Sequence, residues 1–306
     1  MKILIALDAT PRCGEIVAEI ASRPWPTDTS FLLLHILDPF PYAKAPITLR
    51  RAKTEAETQL KKIGKRLCAS GWATKEQVVL GRARQRIAKI AASWKADLVV
   101  VGSNEAGALT RLLLGSTARA VLRHASCSVE IVRPRPSEEG LIRGKGMKIL
   151  VATDGSGYST VALQSSASRP WPEGSIFRVI SIPEPFMPFG EFPYFEMKEI
   201  EKLNAATLKD AKRYAESGAE ILRKKDLEVE TDTPLPHDND AREIVKAAER
   251  WRAQMIVVGS HGRRGFDRWT LGSVSEHVAL HAPCSVEVIR GRAPAKAGSK
   301  MSRRKE

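Results

Sequence analysis

The chain contains two copies of one sequence, and this duplication constrains its fold more than any other feature. Matching segments recur at two constant offsets, 146 residues for the earlier pairs and 157 residues for the later pair: Met1-Lys-Ile-Leu4 with Met147-Lys-Ile-Leu150, Ser22-Arg-Pro-Trp-Pro26 with Ser168-Arg-Pro-Trp-Pro172, and Cys127-Ser-Val-Glu130 with Cys284-Ser-Val-Glu287. Chance similarity does not hold two offsets over so much of a chain. The sequence therefore predicts two domains of one kind.

Each copy is long enough to bury a core of its own. The 306 residues divide into a first domain at 1–134, a linker at 135–146 rich in proline, glycine and charge, a second domain at 147–291, and a basic tail at 292–306 that we expect to be disordered. No apolar stretch approaches the roughly 20 residues that a membrane-spanning helix needs. With no signal peptide ahead of the first predicted strand, we expect a cytoplasmic protein without a membrane partner.

Strand and helix signals alternate along each copy. In the second copy, short apolar runs rich in β-branched residues predict strands at 148–153, 175–182, 227–231, 255–258 and 285–289, with helices between them. Strands of nearly continuous apolar character predict a parallel sheet. The fold class is therefore α/β, with two tandem doubly wound domains, each a five-stranded parallel sheet with helices on both faces. In the long helix predicted at 196–223, one face carries Ile200, Leu203, Thr207, Tyr214, Gly218 and Ile221.

A glycine loop follows the fourth predicted strand of the second copy. Gly259-Ser-His-Gly262 comes directly after Met255–Val258, and Gly272-Ser273 follows after a spacer of nine residues. Glycines let the backbone approach phosphate oxygens, and the N-terminus of a helix favours anions. In parallel sheets, ligands lie beyond the carboxyl ends of the strands, where Asp154 and Ile182 also stand. The pattern predicts a phosphate-binding crevice.

The chain resembles a tandem universal stress protein over both copies. The resemblance rests on Gly-x2-Gly-x9-Gly-Ser in the second copy, with the early Asp154 and with His281-Ala-Pro-Cys284 before the last strand. It implies that the second domain binds ATP or AMP with Mg²⁺ as a stress-response regulatory module. The implied nucleotide contacts are Gly259, Gly262, Gly272, Ser273 and Val274 around the phosphates and ribose, Ala152, Asp154, Ile182 and Val258 on the adenosine side, and His261 in the loop itself.

Plainer roles stay open for several of these residues. Ser273-Val-Ser-Glu276 also fits a capping box, in which Ser273 only caps its helix. Asp154 before Gly155 also fits a turn, although its carboxylate can accept from a ribose hydroxyl or hold a metal ion. His261 also fits an ordinary loop position. The spacer arginines are either phosphate contacts or a solvated patch: Arg263, Arg264 and Arg268.

The first copy departs from the pattern at the positions that a phosphate would meet. Asn104 and Glu105 stand where the second copy has His261 and Gly262. The carboxylate of Glu105 opposes a phosphate with a repulsion on the order of a few kcal/mol in a partly buried loop. We therefore predict that the first copy does not bind ATP and serves as a structural or regulatory partner of the second.

The second copy has its own departure after the third strand. Members of the family usually carry a short glycine turn there, as Gly81 suggests for the first copy. Residues 231–240 of the second copy instead contain two prolines and three aspartates. This segment reshapes one wall of the site. His237, Asp238 and Asp240 can be interpreted as metal ligands, but loop acids just before a helix are more often caps.

Basic residues are concentrated in the first copy. Residues 1–146 contain 24 lysines and arginines against 13 acidic residues, residues 147–291 contain 19 against 21, and residues 292–306 contain 6 against 1. A basic half can bind nucleic acid or an acidic partner. Because no nucleic-acid-binding motif and no interleaved aromatic residues accompany it, we interpret it as a solvated face.

Other chemistries find little support in the sequence. The four cysteines form no Cys-x-x-Cys pair, so neither a zinc site nor a disulfide framework is predicted, and Cys127 and Cys284 are interpreted as small buried side chains. There is no nucleophile elbow and no Walker lysine, so at most slow ATP hydrolysis is expected.

Two functions remain: a nucleotide-binding module that acts on an unknown protein partner, and a nucleotide-free scaffold with the same fold. In the family, the last strands of two domains pair across a dimer interface. Residues 129–132 and 286–289 alternate apolar and polar side chains, so they can form such a pair within one chain as an intramolecular pseudo-dimer. A further homodimer stays open.

Overall fold

The computed structural model describes residues 1–8, 13–69, 71–103, 114–133, 146–185, 197–236, 238–263 and 271–291. The first half contains β1 (Lys2–Leu7), α1 (Cys13–Ser22), β2 (Ser30–Leu37), a short 3₁₀ helix (Phe40–Tyr42), α2 (Pro46–Ala69), β3 (Ala73–Leu80), α3 (Ala83–Trp94), β4 (Leu98–Gly102), α4 (Ser116–His124) and β5 (Ser128–Val132). The second half contains β6 (Lys148–Ala152), α5 (Gly157–Ala167), β7 (Ile176–Ile180), α6 (Met197–Arg223), β8 (Glu228–Asp232), α7 (Asp240–Trp251), β9 (Met255–Gly259), α8 (Ser273–His281) and β10 (Ser285–Ile289).

All ten strands join one sheet in the order β3-β2-β1-β4-β5-β10-β9-β6-β7-β8. Each half is a parallel five-stranded sheet, and the halves meet where β5 and β10 pair in antiparallel fashion, with Glu130 opposite Glu287. The predicted α/β class and the intramolecular pseudo-dimer are confirmed. The sheet is continuous across the junction of the two domains.

The strand order reverses at one point in each domain. β1 lies between β2 and β4, and β6 lies between β7 and β9. The reversal lies between β1 and β4 in the first domain and between β6 and β9 in the second. The chain leaves the two strands of each pair toward opposite faces of the sheet, which opens a crevice at their carboxyl ends. In the second domain, this point lies between the loop after β6 and the loop after β9.

Helices cover both faces of the sheet, and the two faces differ in continuity. On one face, a single apolar core packs α3 and α4 of the first domain and α7 and α8 of the second against both halves of the sheet. On the other face, the core beneath α1 and α2 is separate from the core beneath α5 and α6. The shared core explains why the domains form one body along the β5–β10 seam.

Two arginines strengthen this seam by capping helices of the opposite domain. Arg133, directly after β5, donates to the carbonyl oxygen of Ala279 at 2.6 Å, near the end of α8. Arg290, directly after β10, donates to the carbonyl oxygen of Leu122 at 2.8 Å, near the end of α4. Cations are stabilising at helix C-termini because the last carbonyl groups have no partner within the helix.

The buried face of α6 differs from the one predicted. Leu203 is 41% exposed, whereas the positions buried against the sheet are mostly small: Ala211, Ala215, Gly218, Ala219 and Leu222. Small side chains let α6 lie close to α5 and β7. A Cβ atom at Gly218 would lie 2.9 Å from Leu163 Cδ1 and 3.1 Å from Val179 Cγ1.

This close approach gives a test with a matched control. We expect Gly218→Ala to lower the free energy of unfolding by about 1–3 kcal/mol, because the added methyl group overpacks the contact. Gly14→Ala, also in a helix, should raise it by up to about 1 kcal/mol, because the nearest atom to the new Cβ is Arg66 Nη1 at 3.9 Å. Urea denaturation of both variants measures the difference. Equal effects would show that Gly218 has no packing role.

Several expectations fall outside the described residues. The predicted linker, apart from Gly146, and the tail at 292–306 are among these, so the domain boundaries stay predictions. Within the described residues, no helix is long and apolar enough to cross a membrane. The four cysteines form no disulfide; Cys284 is buried as predicted, whereas Cys127 is only partly buried. Burial raises the pKa of the Cys127 thiol to about 11.

Candidate functional site

The carboxylate of Asp154 joins the two loops that border the crevice of the second domain. Its Oδ1 accepts a hydrogen bond from the Ser156 backbone N–H at 3.0 Å, within the loop after β6. Its Oδ2 accepts from the Arg263 backbone N–H at 2.8 Å, in the loop after β9. Each oxygen keeps a second lone pair for a further donor. Asp154 therefore makes the predicted turn and also reaches across the crevice.

Two glycines lie close beside this carboxylate. Gly155 has a φ of +75°, which favours glycine, and a Cβ there would lie 2.4 Å from the ring of Tyr214 on α6. A Cβ at Gly262 would lie 2.9 Å from Asp154 Oδ2. The first glycine permits the turn, and the second keeps the carboxylate in contact with the loop after β9.

The start of α8 faces the same crevice. Gly272 is the N-cap residue, and no side chain of the described residues caps the helix. The Gly272 N–H and the Ser275 hydroxyl both donate to the carbonyl oxygen of Ser260, at 2.9 and 3.1 Å, which holds α8 against the loop after β9. A Cβ at Gly272 would lie 3.1 Å from that oxygen. The third glycine of the pattern thus permits a close contact between the loop and the helix.

The capping-box interpretation of Ser273 is wrong. Ser273 is the first residue of α8 rather than its cap, and Glu276 forms an ion pair with Arg123 of the first domain at 2.5 Å instead of returning to the helix start. The side chains of Ser273 and Val274 are both exposed. The Ser273 hydroxyl and the first backbone N–H groups of α8 are therefore available to an anion.

His261 is buried, in contrast to an ordinary loop residue. The residue is 7% exposed, its ring centroid lies 4.9 Å from that of Tyr158 in α5, and its Nδ1 lies 3.0 Å from Ser260 Oγ. The Nε2 atom is buried and has no hydrogen-bond partner among the described residues. A buried polar atom without a partner is costly, so this nitrogen is suited to a bound group or an ordered water.

Apolar residues at three strand ends form the other side of the crevice. Ala152 ends β6, Val258 lies in β9, and Ile182 follows β7; Val258 is 3% exposed, and all three pack against the core shared by the two domains. The predicted adenosine-side residues thus lie at the carboxyl ends of adjacent strands. They offer an apolar surface beside the polar residues of the loops.

Three residues at the rim were not predicted as site residues: Tyr158, Glu184 and Tyr214. Arg263 stands over the Tyr214 ring at 5.6 Å, a cation–π contact, and forms an ion pair with Glu184 at 3.5 Å. Tyr158 packs on His261. Tyr214 and Glu184 come from distant parts of the chain, so no spacing in the sequence relates them to the glycine loop. Arg264 and Arg268 lie outside the described residues.

The segment after β8 uses its polar residues for helix capping. Asn239 is the N-cap of α7, and its side chain accepts from the Arg242 N–H at 3.0 Å. Asp238 accepts from the Asn239 N–H and pairs with Arg242 at 3.1 Å, and these contacts hold the pKa of Asp238 below its usual value. His237 lies outside the described residues. Where the structure describes the chain, no group of three or more His, Cys, Asp or Glu side chains can hold a metal ion.

The first domain keeps the backbone frame of this site with different side chains. The Gly115 N–H donates to the Ser103 carbonyl at 2.6 Å, as Gly272 does to Ser260. His35 occupies the position that Ser181 has in the second domain. It is buried, and its Nδ1 lies 2.9 Å from the Leu7 carbonyl oxygen. The Cys13 thiol, at the position of Ser159, donates to the Asp8 carboxylate at 3.2 Å. Asn104 and Glu105 lie outside the described residues.

Comparisons with known proteins agree with this architecture. The model of the universal stress protein family matches residues 1–133 and 147–290. A universal stress protein of Mycolicibacterium smegmatis is 32% identical over 205 residues, which cover 66% of this chain and 65% of the relative, so the chain spans about two thirds of that protein's length. A solved universal stress protein of Archaeoglobus fulgidus is 18% identical, covers 94% of this chain and 96% of its own, and superposes with a TM-score of 0.61. This likeness shows the fold. A universal stress protein solved in complex with cAMP covers 44% of this chain at 22% identity, with a TM-score of 0.34.

Proposed function

Because the chain belongs to the universal stress protein family as a tandem pair of its domains, we propose that its second domain binds an adenine nucleotide, ATP or AMP, and acts as a regulatory module in the response to stress. One observation carries this proposal. The Asp154 carboxylate, the glycine loop and the open N-terminus of α8 converge at the strand-order reversal of the second domain. This is where parallel sheets place their ligands.

Different groups of the site suit the phosphates, the ribose and the adenine ring of a nucleotide. Backbone N–H groups at the start of α8 and the Ser273 hydroxyl suit phosphate oxygens, because they are donors at the positive end of a helix that no described side chain caps. The free lone pairs of Asp154 suit ribose hydroxyls. The apolar strand ends at Ala152, Val258 and Ile182 suit the adenine ring. His261 Nε2 supplies a further buried polar atom within the loop.

The residues fit a magnesium ion only together with the phosphates. Mg²⁺ is typically bound by one or two carboxylates with substrate phosphates and water. Asp154 is the carboxylate at the crevice, and each of its oxygens already accepts one backbone N–H. When bound, the ion would neutralise phosphate charge beside this carboxylate. No residue set for catalysis accompanies it in the described residues, so we propose a binding module.

Ligand binding would act on the contact between the two loops. Asp154 links the loop after β6 to the loop after β9, and Arg263 extends that link to Glu184 and Tyr214 at the rim. A nucleotide that engages the same groups changes this rim and therefore the surface offered to a protein partner. We propose the first domain as a nucleotide-free companion. The cytoplasmic location of the protein, its protein partner and its homodimerisation stay predictions.

Equivalent aspartates in the two domains give a test with an internal control. We expect Asp154→Asn to weaken ATP and AMP binding about 10- to 100-fold, because a hydrogen bond to a charged group contributes about 1.5–3 kcal/mol. Asp8→Asn, the same change in the first domain, should leave the affinity unchanged. Fluorescence titration with a labelled nucleotide measures both. Equal losses in the two variants would contradict the assignment of the site to the second domain.

A further inference from the structure

A cluster of buried charges lies at the junction of the two domains, apart from the nucleotide crevice. Glu130 of β5 and Glu287 of β10 are directly opposite each other across the antiparallel seam and are 0% and 1% exposed. Their neighbours Val129, Ile131 and Val286 face the shared apolar core. Because side chains alternate along a strand, the two carboxyl groups point to the other face, beneath α1 and α5.

Each carboxyl group is met by an arginine from the Ser-Arg-Pro-Trp-Pro segment of its own domain. Arg23 donates to Glu130 Oε1 at 2.5 Å through a single bond. Arg169 holds Glu287 through both oxygens, with Nη1 to Oε1 at 2.9 Å. The guanidinium groups stand over Trp25 and Trp171 at 5.2 and 4.7 Å. The repeated segment thus places one buried arginine in each domain.

A third carboxyl group breaks the two-fold symmetry of this cluster. Glu19 of α1 is 5% exposed, and its Oε1 accepts a hydrogen bond from the Ser285 hydroxyl of β10 at 3.1 Å. The equivalent residue in the second domain is Ser165. Glu19 therefore adds a buried acid that has no counterpart and no arginine of its own among the ion pairs of the described residues.

The other arginines near the seam do not balance this charge. Arg133 and Arg290 donate to carbonyl oxygens at the ends of α8 and α4, on the opposite face of the sheet. Among the described residues, two guanidinium groups thus face three carboxyl groups: Glu19 on α1, Glu130 on β5 and Glu287 on β10. An uncompensated buried charge is strongly unfavourable, and such groups become neutral instead.

The hydrogen bonds indicate which carboxyl group is neutral. Both oxygens of Glu287 are bonded to Arg169, whereas Glu130 Oε2 is buried and has no partner among the described residues. Burial raises the pKa of Glu130 to about 7; Arg23 opposes this rise, while Glu287 and Glu19 add to it. Burial lowers the pKa of Arg23, but Glu130, Glu19 and Glu287 together raise it above its usual value.

We propose that the three-carboxyl cluster at the domain junction holds one proton below neutral pH and makes the pairing of the two domains sensitive to pH. The proton resides on Glu130 and compensates for the unmatched carboxylate of Glu19. Its loss leaves a net negative charge buried across the β5–β10 seam.

The sign of the effect follows from linkage. The Glu130 carboxyl group binds a proton more tightly in the folded chain than in the unfolded chain, where its pKa is near 4.5. The stabilisation is complete below this unfolded value and is lost as the pH rises toward 7. Across this window the cluster raises the equilibrium constant for unfolding by up to about tenfold per pH unit.

Substitution of Glu19 by serine, the residue of the second domain, tests the proposal on the full chain. Two carboxylates then face two guanidinium groups, and no proton is required. We expect the ratio of the unfolding constants, wild type over Glu19→Ser, to rise as much as about 100-fold between pH 5 and pH 7 in denaturant titrations. Glu15→Ser, at an exposed position one turn earlier in α1, should follow the wild-type pH profile.

A spectroscopic readout makes the test independent of folding stability. Infrared spectra of the folded wild type at pH 6 should contain the carbonyl band of a protonated buried carboxylic acid, and this band should be absent from Glu19→Ser and from Glu130→Gln. Parallel pH profiles for wild type and Glu19→Ser, or a wild-type spectrum without the band, would overturn the proposal.

Discussion

Replacement of Gly262 by glutamate is expected to weaken ATP binding roughly a thousandfold while leaving the fold intact. A Cβ at this position would already lie 2.9 Å from Asp154 Oδ2. The added carboxylate then stands beside Asp154 and in the path of the phosphates. Two unit charges about 4 Å apart near a protein surface repel by about 4 kcal/mol, which corresponds to this loss. The substitution reproduces in the second domain the Glu105 of the first.

Glutamine at the same position separates charge from size. Gly262→Gln has nearly the same volume as Gly262→Glu but adds no charge, so it should retain a larger share of the affinity. Titration of both variants with Mg-ATP, with circular dichroism to verify the fold, measures the difference. Wild-type affinity in Gly262→Glu would contradict the proposed site. Equal losses in both variants would assign the whole effect to the contact with Asp154.

The largest effect on stability is expected from Arg169→Met. This change removes both hydrogen bonds from Glu287, which is 1% exposed, and leaves a buried carboxylate without its partner. Breaking one side of a buried ion pair costs about 3–5 kcal/mol. Denaturant titration at pH 8, above the range in which the cluster holds its proton, gives the clearest measurement.

Two controls distinguish this cost from a general loss of arginine. Arg213→Met removes an ion pair with Asp210 in which both side chains are more than half exposed, 64% and 52%, so it should change the free energy of unfolding by less than about 1 kcal/mol. The double variant Arg169→Met with Glu287→Met should recover most of the loss, because no unpaired charge remains. A double variant as unstable as the single one would show that packing, rather than charge, is responsible.

The architecture was predictable because the signals behind it are local and repeated. Apolar runs alternate with helix signals along both copies, which predicts a parallel sheet in each. Because ligands in such sheets lie beyond the carboxyl ends of the strands, Asp154, Ile182 and the Gly259 loop were expected at that end. The observed sheet confirms this arrangement, including the antiparallel pairing of 129–132 with 286–289. Which of these residues contact a nucleotide stays a prediction.

Other features depend on contacts that no spacing reveals. Gly272, rather than Ser273, is the cap of α8, because the glycine N–H is drawn to the Ser260 carbonyl and the helix begins one residue later. The helix α6 buries mainly small residues and leaves Leu203 exposed, because it lies close to Leu163 of α5 and Val179 of β7 at Gly218. Glu130 and Glu287 look like the polar residues of ordinary alternating strands. Their burial follows from the seam and from arginines more than 100 residues away.

The number of nucleotides bound by each chain tests the central claim most directly. Calorimetric titration of the full chain, stripped of bound nucleotide, with Mg-ATP should give about one site per chain. At a free ATP concentration 100 times the dissociation constant, binding should also stabilise the fold by about 2.7 kcal/mol. Two sites per chain would show that the first domain binds as well. No heat together with no rise in melting temperature would contradict the account and leave a nucleotide-free scaffold as the function of the fold.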